Sequence, residues 1–272
     1  MGLTETKRLL RTFRIAPNKL LGQNFMVEPA FYAKFCEYAC LSKADVVLDV
    51  GAGFGFLTKF LSGKCEAVIA VEKDPRVAAV LREQVRSYAN VTVVEGDVLK
   101  VKLPPFGKVV AVPPYYLSSK LVAWLLARGI SCAVLILQRE FAEKLVAPVG
   151  SDDYGWLTVI ASREVRAELL DGVPKSDFYP VPEVDSVIVR LTRWEIAPFA
   201  VNDSEFFNTL VRWMFTQRNK KISNALVPFL RKSRNASKEG AEKIASTVPF
   251  GDRRARELLP REFGELANAL TR

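Results

Sequence analysis

From about Val46 to Leu191, short apolar runs alternate with amphipathic stretches, the pattern of strand and helix in turn. It predicts an α/β sheet. The expected strands are Val46 to Val50, Ala67 to Glu72, Val91 to Glu95, Lys108 to Val112, Cys132 to Gln138, Val165 to Leu170 and Ser186 to Leu191. The first five are spaced for right-handed crossovers through helices such as Pro75 to Tyr88 and Ser119 to Ala127. The last two lie close enough to make an antiparallel edge. Between them Phe178-Tyr179-Pro180-Val181-Pro182-Glu183 reads as an extended loop, because its prolines continue neither helix nor ladder. Beyond Trp194 the strands cease. Asp203 to Thr216, Lys221 to Leu230, Lys238 to Ala245 and Pro260 to Leu270 are amphipathic at helical spacing. Three regions follow: residues 1–45, a basic arm and helix; 46–193, the sheet domain; and 194–272, a small helical domain.

Composition narrows the chemistry. The chain has 272 residues, 49% of them hydrophobic, enough for a full domain with a smaller appendage. Lys and Arg number 39 against 30 Asp and Glu, a formal net charge of +9 that favours a polyanionic partner such as nucleic acid. Histidine is absent, which excludes imidazole bases, Ser-His-Asp and Cys-His nucleophiles and most zinc sites; no metal is expected. Cys36, Cys40, Cys65 and Cys132 include no CxxC pair and read as buried thiols, with a Cys40–Cys65 disulfide as the open alternative. The first residues contain no apolar segment of signal-peptide length, and the longest apolar run, Ile130 to Leu137, suits a buried strand rather than a membrane span. A soluble, cytoplasmic protein is expected.

The first strand runs into Gly51-Ala52-Gly53-Phe54-Gly55, and Phe56 to Leu61 then reads as helix. Strand, glycine turn and helix let backbone approach a ligand closely and present free amides to it. The second strand ends in Glu72, where a carboxylate accepts both ribose hydroxyls of a nucleoside. The third ends in Glu95-Gly96-Asp97-Val98, where Asp97 is placed to accept from an adenine amino group while apolar neighbours cover the ring. A dinucleotide-dependent dehydrogenase fits the first two elements, but the turn is GxGxG rather than GxGxxG. The fourth strand ends in Val112-Pro113-Pro114-Tyr115, a rigid turn at the carboxyl edge of the sheet, where open α/β folds bind ligands. Tyr115 there would stack on an extruded base; the alternative is a core tyrosine plugging the loop.

Together these residues resemble the rRNA adenine dimethyltransferases of the KsgA type, over nearly the whole chain. The resemblance rests on Leu21-Gly22-Gln23-Asn24-Phe25-Met26, the Gly51 to Gly55 turn, Glu72, Asp97 and Leu137-Gln138-Arg139-Glu140-Phe141. It extends through Tyr154-Gly155, Phe178-Tyr179-Pro180-Val181-Pro182, Val184-Asp185-Ser186 and Phe215-Thr216-Gln217-Arg218. It implies a Rossmann-like class I methyltransferase sheet with a small C-terminal helical domain, and S-adenosyl-L-methionine as cofactor. By that resemblance Asn24 and Met26 close over the methionine part, Gln23 borders the pocket, and Gly51 and Gly53 approach through backbone. Glu72 would hold the ribose, and Asp97 and Val98 the adenine, with Val112 bordering both cofactor and target. The implied substrate is two adjacent adenines in a hairpin loop of small-subunit rRNA, inside an immature small ribosomal subunit, with the enzyme a monomer.

One position departs from the family. Its motif reads Asn-Leu-Pro-Tyr, and here Val112 and Pro113 fill the first two places. The family's Asn oxygen and a following backbone carbonyl orient the adenine amine toward the methyl; Val112 offers no side-chain acceptor. Two functions therefore stand at this point: a methyltransferase of reduced activity, and an rRNA-binding assembly factor that retains the cofactor. Lys7, Arg8, Arg11, Arg14 and Lys19, on what reads as a flexible arm, are expected to meet RNA phosphates. So are Arg218, Lys220 and Lys221, and the run Arg231-Lys232-Ser233-Arg234.

Overall fold

The computed structural model describes residues 2–271, with the side chain of Arg234 also outside the described set; of the expected RNA contacts, Arg234 alone falls there, as do the end residues Met1 and Arg272 of the outer regions. The strands are β1 (Phe25–Met26), β2 (Val46–Val50), β3 (Ala67–Glu72), β4 (Val91–Glu95), β5 (Lys108–Ala111), β6 (Cys132–Gln138), β7 (Val165–Val173), β8 (Phe178–Tyr179) and β9 (Ser186–Arg193). The helices are α1 (Leu3–Thr12), α2 (Ala30–Tyr38), α3 (Phe56–Ser62), α4 (Pro75–Gln84), α5 (Ser118–Arg128), α6 (Arg139–Leu145), α7 (Trp156–Glu164), α8 (Ser204–Thr216), α9 (Ile222–Arg234), α10 (Lys238–Thr247) and α11 (Pro260–Leu270).

The chain divides into two compact units, Met1–Ala142 with Ala167–Arg193, and Glu143–Arg166 with Trp194–Arg272. In the first, seven strands lie in the order β4-β3-β2-β5-β6-β9-β7. Strands β4, β3, β2, β5 and β6 are mutually parallel, and β9 runs antiparallel to β6 from Cys132↔Thr192 to Gln138↔Ser186. The order reverses at β2, from which the chain winds to β3 and β4 on one side and returns to β5 and β6 on the other. That switch point opens a crevice at the carboxyl ends of the strands. Near-continuous apolar runs such as Ala133 to Leu137 are fully buried, as strands covered on both faces require.

Local signals explain the helix starts. Asp74 caps α4 by accepting from the Arg76 amide at 3.0 Å, and Pro75 occupies the first helical position, where its missing N–H costs nothing. The face of Val77, Ala78, Val80 and Leu81 is buried. In the second unit α7 packs on α8 and α11, and α8 on α9. Asp203 caps α8 through the Glu205 and Phe206 amides, and Ser237 caps α10 through the Gly240 amide.

Several expectations are corrected. The N-terminal arm is helical, because Thr6, Leu9 and Leu10 bury one face of α1, and Leu9, Leu10 and Ile15 join the same apolar cluster as Val47, Val110 and Phe178. Residues 143–166 belong with the helical unit rather than the sheet unit, since Leu157, Val159 and Ile160 of α7 are buried beside α8 and α11. The fourth sheet strand stops at Ala111 rather than Val112, since the two prolines after Val112 offer no N–H to continue the ladder. Helix α4 ends at Gln84, short of Tyr88. Phe178 and Tyr179 are not free loop but pair antiparallel with Met26 and Phe25. Cys40 is exposed rather than buried, and all four cysteines are free; Cys65 is buried with its thiol on the Leu61 carbonyl at 3.1 Å. Among the described residues no helix is long and apolar enough to cross a membrane.

Candidate active site

At the switch point lies a cleft enclosing roughly 1050 Å³ of space open to solvent, wholly within the sheet unit. Its lining includes Gln23, Asn24, Met26, Gly51, Gly53, Glu72, Asp97, Val98, Val112, Pro113, Pro114 and Tyr115. Residues far apart in sequence thus share one cavity.

The glycine turn forms one wall. Gly51 sits at φ +72°, and a Cβ built there would meet Pro114 Cδ at 2.8 Å. The turn and the Pro-Pro segment are therefore in direct contact, and only glycine permits it. At Gly55, φ +79°, an added Cβ would likewise meet Leu81 Cδ1 at 2.6 Å, and its absence lets α3 start close against α4.

Glu72 is 8% exposed at the end of β3. It accepts from the Gly53 amide at 3.0 Å and from the Asp74 amide at 2.9 Å, one on each oxygen. Burial pushes its carboxyl above the usual range, against the pull of the Asp74, Gly53 and Lys73 amides. Asp97 accepts from the Leu99 amide at 3.1 Å and from Lys73 Nζ at 3.2 Å. Burial works to raise it, but those two donors hold it below its usual range. Both carboxylates keep lone pairs for a ligand.

The loop before β1 also lines the cleft. Gln23 donates to Asp74 Oδ2 at 3.0 Å and accepts from the Asn18 amide at 2.7 Å, so it fastens the loop to the cap of α4. Asn24 donates to the Gly22 carbonyl at 3.4 Å. Met26 and Val98 are buried and supply apolar surface; Phe25 stacks on Phe54 with centroids 4.6 Å apart. The Asp74 carboxyl is held down at about 2, chiefly by its Arg76 partner, and stays charged through the physiological range.

After β5 the chain turns through Pro113 and Pro114 into a short 3-10 helix, Tyr115–Leu117, with the Pro114 carbonyl accepting from the Leu117 amide at 2.9 Å. Tyr115 is half-buried. Its hydroxyl lies 2.6 Å from Ser186 Oγ, and its ring meets Phe178 edge-on at 6.4 Å and 67°. It lines the cleft.

Sequence reasoning missed four contributors. Asp49 is buried in β2, bonded by the Thr58 hydroxyl at 2.7 Å; burial pushes it up to about 7, against Thr58 and with the charge of Glu72. Its place two residues before Gly51 was the available signal. Asp74 was legible as an Asp-Pro helix start. Lys73 and Tyr116 carried no signal beyond adjacency to Glu72 and Tyr115.

The expected RNA contacts differ in availability. Arg11, Arg14, Lys19 and Lys220 are exposed. Arg218 is already engaged, donating to the Asp152 carbonyl at 2.9 Å and to the Ser151 carbonyl at 3.3 Å, and Lys221 pairs with Asp252 at 2.9 Å. Their charges serve the fold of the helical unit first.

A mainly parallel sheet with a glycine turn, two strand-end acids and an aromatic turn around one cleft at its switch point is the arrangement of a Rossmann-like methyltransferase. The Plasmodium falciparum dimethyladenosine transferase superposes with a TM-score of 0.74 at 27% identity, over 88% of this chain and 94% of that one. The 23S rRNA methyltransferase ErmE superposes at 0.65 with 31% identity, over 92% of this chain and 100% of that one. A Methanosarcina mazei protein named "Probable ribosomal RNA small subunit methyltransferase A" is 38% identical over 250 residues, 91% of each chain. Residues 15–263 match the ribosomal RNA adenine dimethylase family, and the chain belongs to it.

Proposed function

We propose that this protein transfers methyl groups from S-adenosyl-L-methionine to the exocyclic amine of adenines near the end of small-subunit rRNA. It acts as a cytoplasmic monomer on an immature small ribosomal subunit. The observation that carries this reading is the contact between Gly51 and Pro114, which joins the nucleoside-binding turn to the base-facing turn in one cleft. The cleft suits the cofactor: a glycine turn no Cβ would allow, acceptors at Glu72 and Asp97, and apolar cover from Met26 and Val98.

Bound there, S-adenosylmethionine supplies a methyl group made electrophilic by its sulfonium. The protein's task is to present the adenine amine. Tyr115, anchored by Ser186 and Phe178, offers a ring against which the target base stacks. The amine needs acceptors for its two hydrogens so that its lone pair points at the methyl. Val112 provides none from its side chain, so the task falls to a backbone carbonyl of the turn, which we assign to Pro113. One preorganised hydrogen bond fewer corresponds to about 2.7–4 kcal/mol, a hundred- to thousandfold in rate. The protein is therefore a slow methyltransferase.

Val112 also favours a second reading, an rRNA-binding assembly factor that holds the cofactor with little transfer. Labelled S-adenosylmethionine incubated with immature small subunits separates the two. The native chain should label RNA slowly, and Val112→Asn about a hundred- to thousandfold faster. If both bind cofactor and neither transfers label, the assembly-factor reading stands and the enzymatic one falls.

A further inference from the structure

Two tyrosines in succession leave the Pro-Pro turn in different surroundings. Tyr115 is half-buried and bonded to Ser186, whereas Tyr116 is 49% exposed at the mouth of the same cleft. The second ring is nonetheless held. It belongs to the 3-10 helix Tyr115–Leu117, and it abuts Gly22, where an added Cβ would come within 3.3 Å of Tyr116 Cδ1. Above the ring, 5.7 Å from its centroid, lies the ammonium of Lys73, whose side chain is 45% exposed. Lys73 in turn pairs with Asp97 inside the cleft.

A half-exposed aromatic ring, held beside Gly22 and with a cation over one face, offers what a nucleotide needs: remaining ring surface for its base and a donor for its phosphate. Lys73 has three N–H donors, so it can keep Asp97 and still contact a phosphate. We propose that Tyr116 and Lys73 form a subsite for the nucleotide next to the target adenine, Tyr116 stacking on its base and Lys73 contacting the intervening phosphate. The inference rests on the methyltransferase reading above. On it, an adenine taken into the cleft has its neighbour held just outside, rather than left to restack over it. Lys73 then links the phosphate to Asp97, at the end of the cleft assigned to the cofactor's adenine.

A small-subunit rRNA hairpin, intact or abasic at the flanking position, tests this with the full-length protein. The native chain should bind the abasic hairpin about 5- to 150-fold more weakly, the range for loss of one base–aromatic stack. Tyr116→Ala should lose that much on the intact hairpin and nothing further on the abasic one, while Tyr116→Phe behaves as the native protein. Lys73→Met should lower the slope of log affinity against log salt by about 0.7 to 0.9, one phosphate contact. Tyr116→Ala should cost S-adenosylhomocysteine affinity at least fivefold less than it costs affinity for the intact hairpin. Flank sensitivity that survives Tyr116→Ala overturns the subsite. So does an equal loss of RNA and S-adenosylhomocysteine binding, which would make Tyr116 a prop for the Gly22 loop. A native protein that senses the flank but transfers no label would keep the subsite and sink the catalytic reading; one that binds no hairpin would sink both.

Discussion

Replacing Glu72 by Gln isolates the acceptor chemistry of the cleft, because the side chain keeps its shape and loses one acceptor. In the native protein the two carboxylate oxygens take the Gly53 and Asp74 amides at 3.0 and 2.9 Å. A glutamine can satisfy one of these amides through its oxygen but turns an NH2 group toward the other. That buried amide loses its partner, at about 1–3 kcal/mol. Neutralising the buried carboxyl relieves its desolvation and offsets part of this, so melting temperature is a poor readout. Cofactor affinity is a better one. A ribose hydroxyl that donated to a carboxylate oxygen would face an NH2 donor instead, and a hydrogen bond to a charged group contributes about 1.5–3 kcal/mol. Calorimetric titration with S-adenosylhomocysteine should therefore show Kd rising about 12- to 150-fold in Glu72→Gln. Native affinity should also weaken as pH falls through the raised Glu72 value, because the protonated carboxyl loses an acceptor, and this dependence should vanish in the variant. A variant that binds within twofold of the native protein, or retains its pH slope, would refute the assignment of Glu72 as the ribose acceptor.

Other consequences follow from single contacts. Gly51→Ala places a Cβ 2.8 Å from Pro114 Cδ at φ +72°, so S-adenosylhomocysteine binding should fall at least tenfold while the far-UV spectrum stays native; unchanged binding would remove the turn from the site. Asp49 is raised to about 7 in the folded chain from roughly 4 when unfolded, so the folded state holds the extra proton and stability declines as pH rises between those values. Melting temperatures across that window should fall less steeply in Asp49→Asn, whose oxygen can still accept from Thr58; parallel curves would contradict it. Buried Tyr154 donates to the Leu258 carbonyl at 2.7 Å, and Tyr154→Phe should destabilise the helical unit by about 1–3 kcal/mol in urea unfolding with no change in cofactor affinity.

The division of the chain bears on how it could be dissected. The change of texture at Trp194 marks where the last strands end, but truncation there would strip α7 of its partners α8 and α11. A cut product would expose Leu157, Val159 and Ile160, so its loss of function would say little about RNA positioning. Point variants on exposed Arg11, Lys19 or Lys220 are the sounder probes.

Periodicity made the seven main strands legible, because the central ones, buried on both faces, must be apolar runs of characteristic length and the helices between them must be amphipathic. Glycines and acids at three successive strand ends were legible for a related reason. In a parallel sheet, strand ends in sequence become neighbours in space, so a ligand site leaves its marks at a regular interval. Tertiary structure alone decided where isolated segments lodge. The burial of Leu9 and Leu10 that orders the amino-terminal helix, the pairing of Met26 with Phe178, and the transfer of α7 to the helical unit depend on partners more than a hundred residues away, or on packing that no local pattern encodes. The same holds for charge. Arg218 and Lys220 look alike in sequence, but the fold brings the loop of Ser151 and Asp152 within reach of one and leaves the other in solvent, because only packing decides which donor meets the half-buried Ser151 carbonyl.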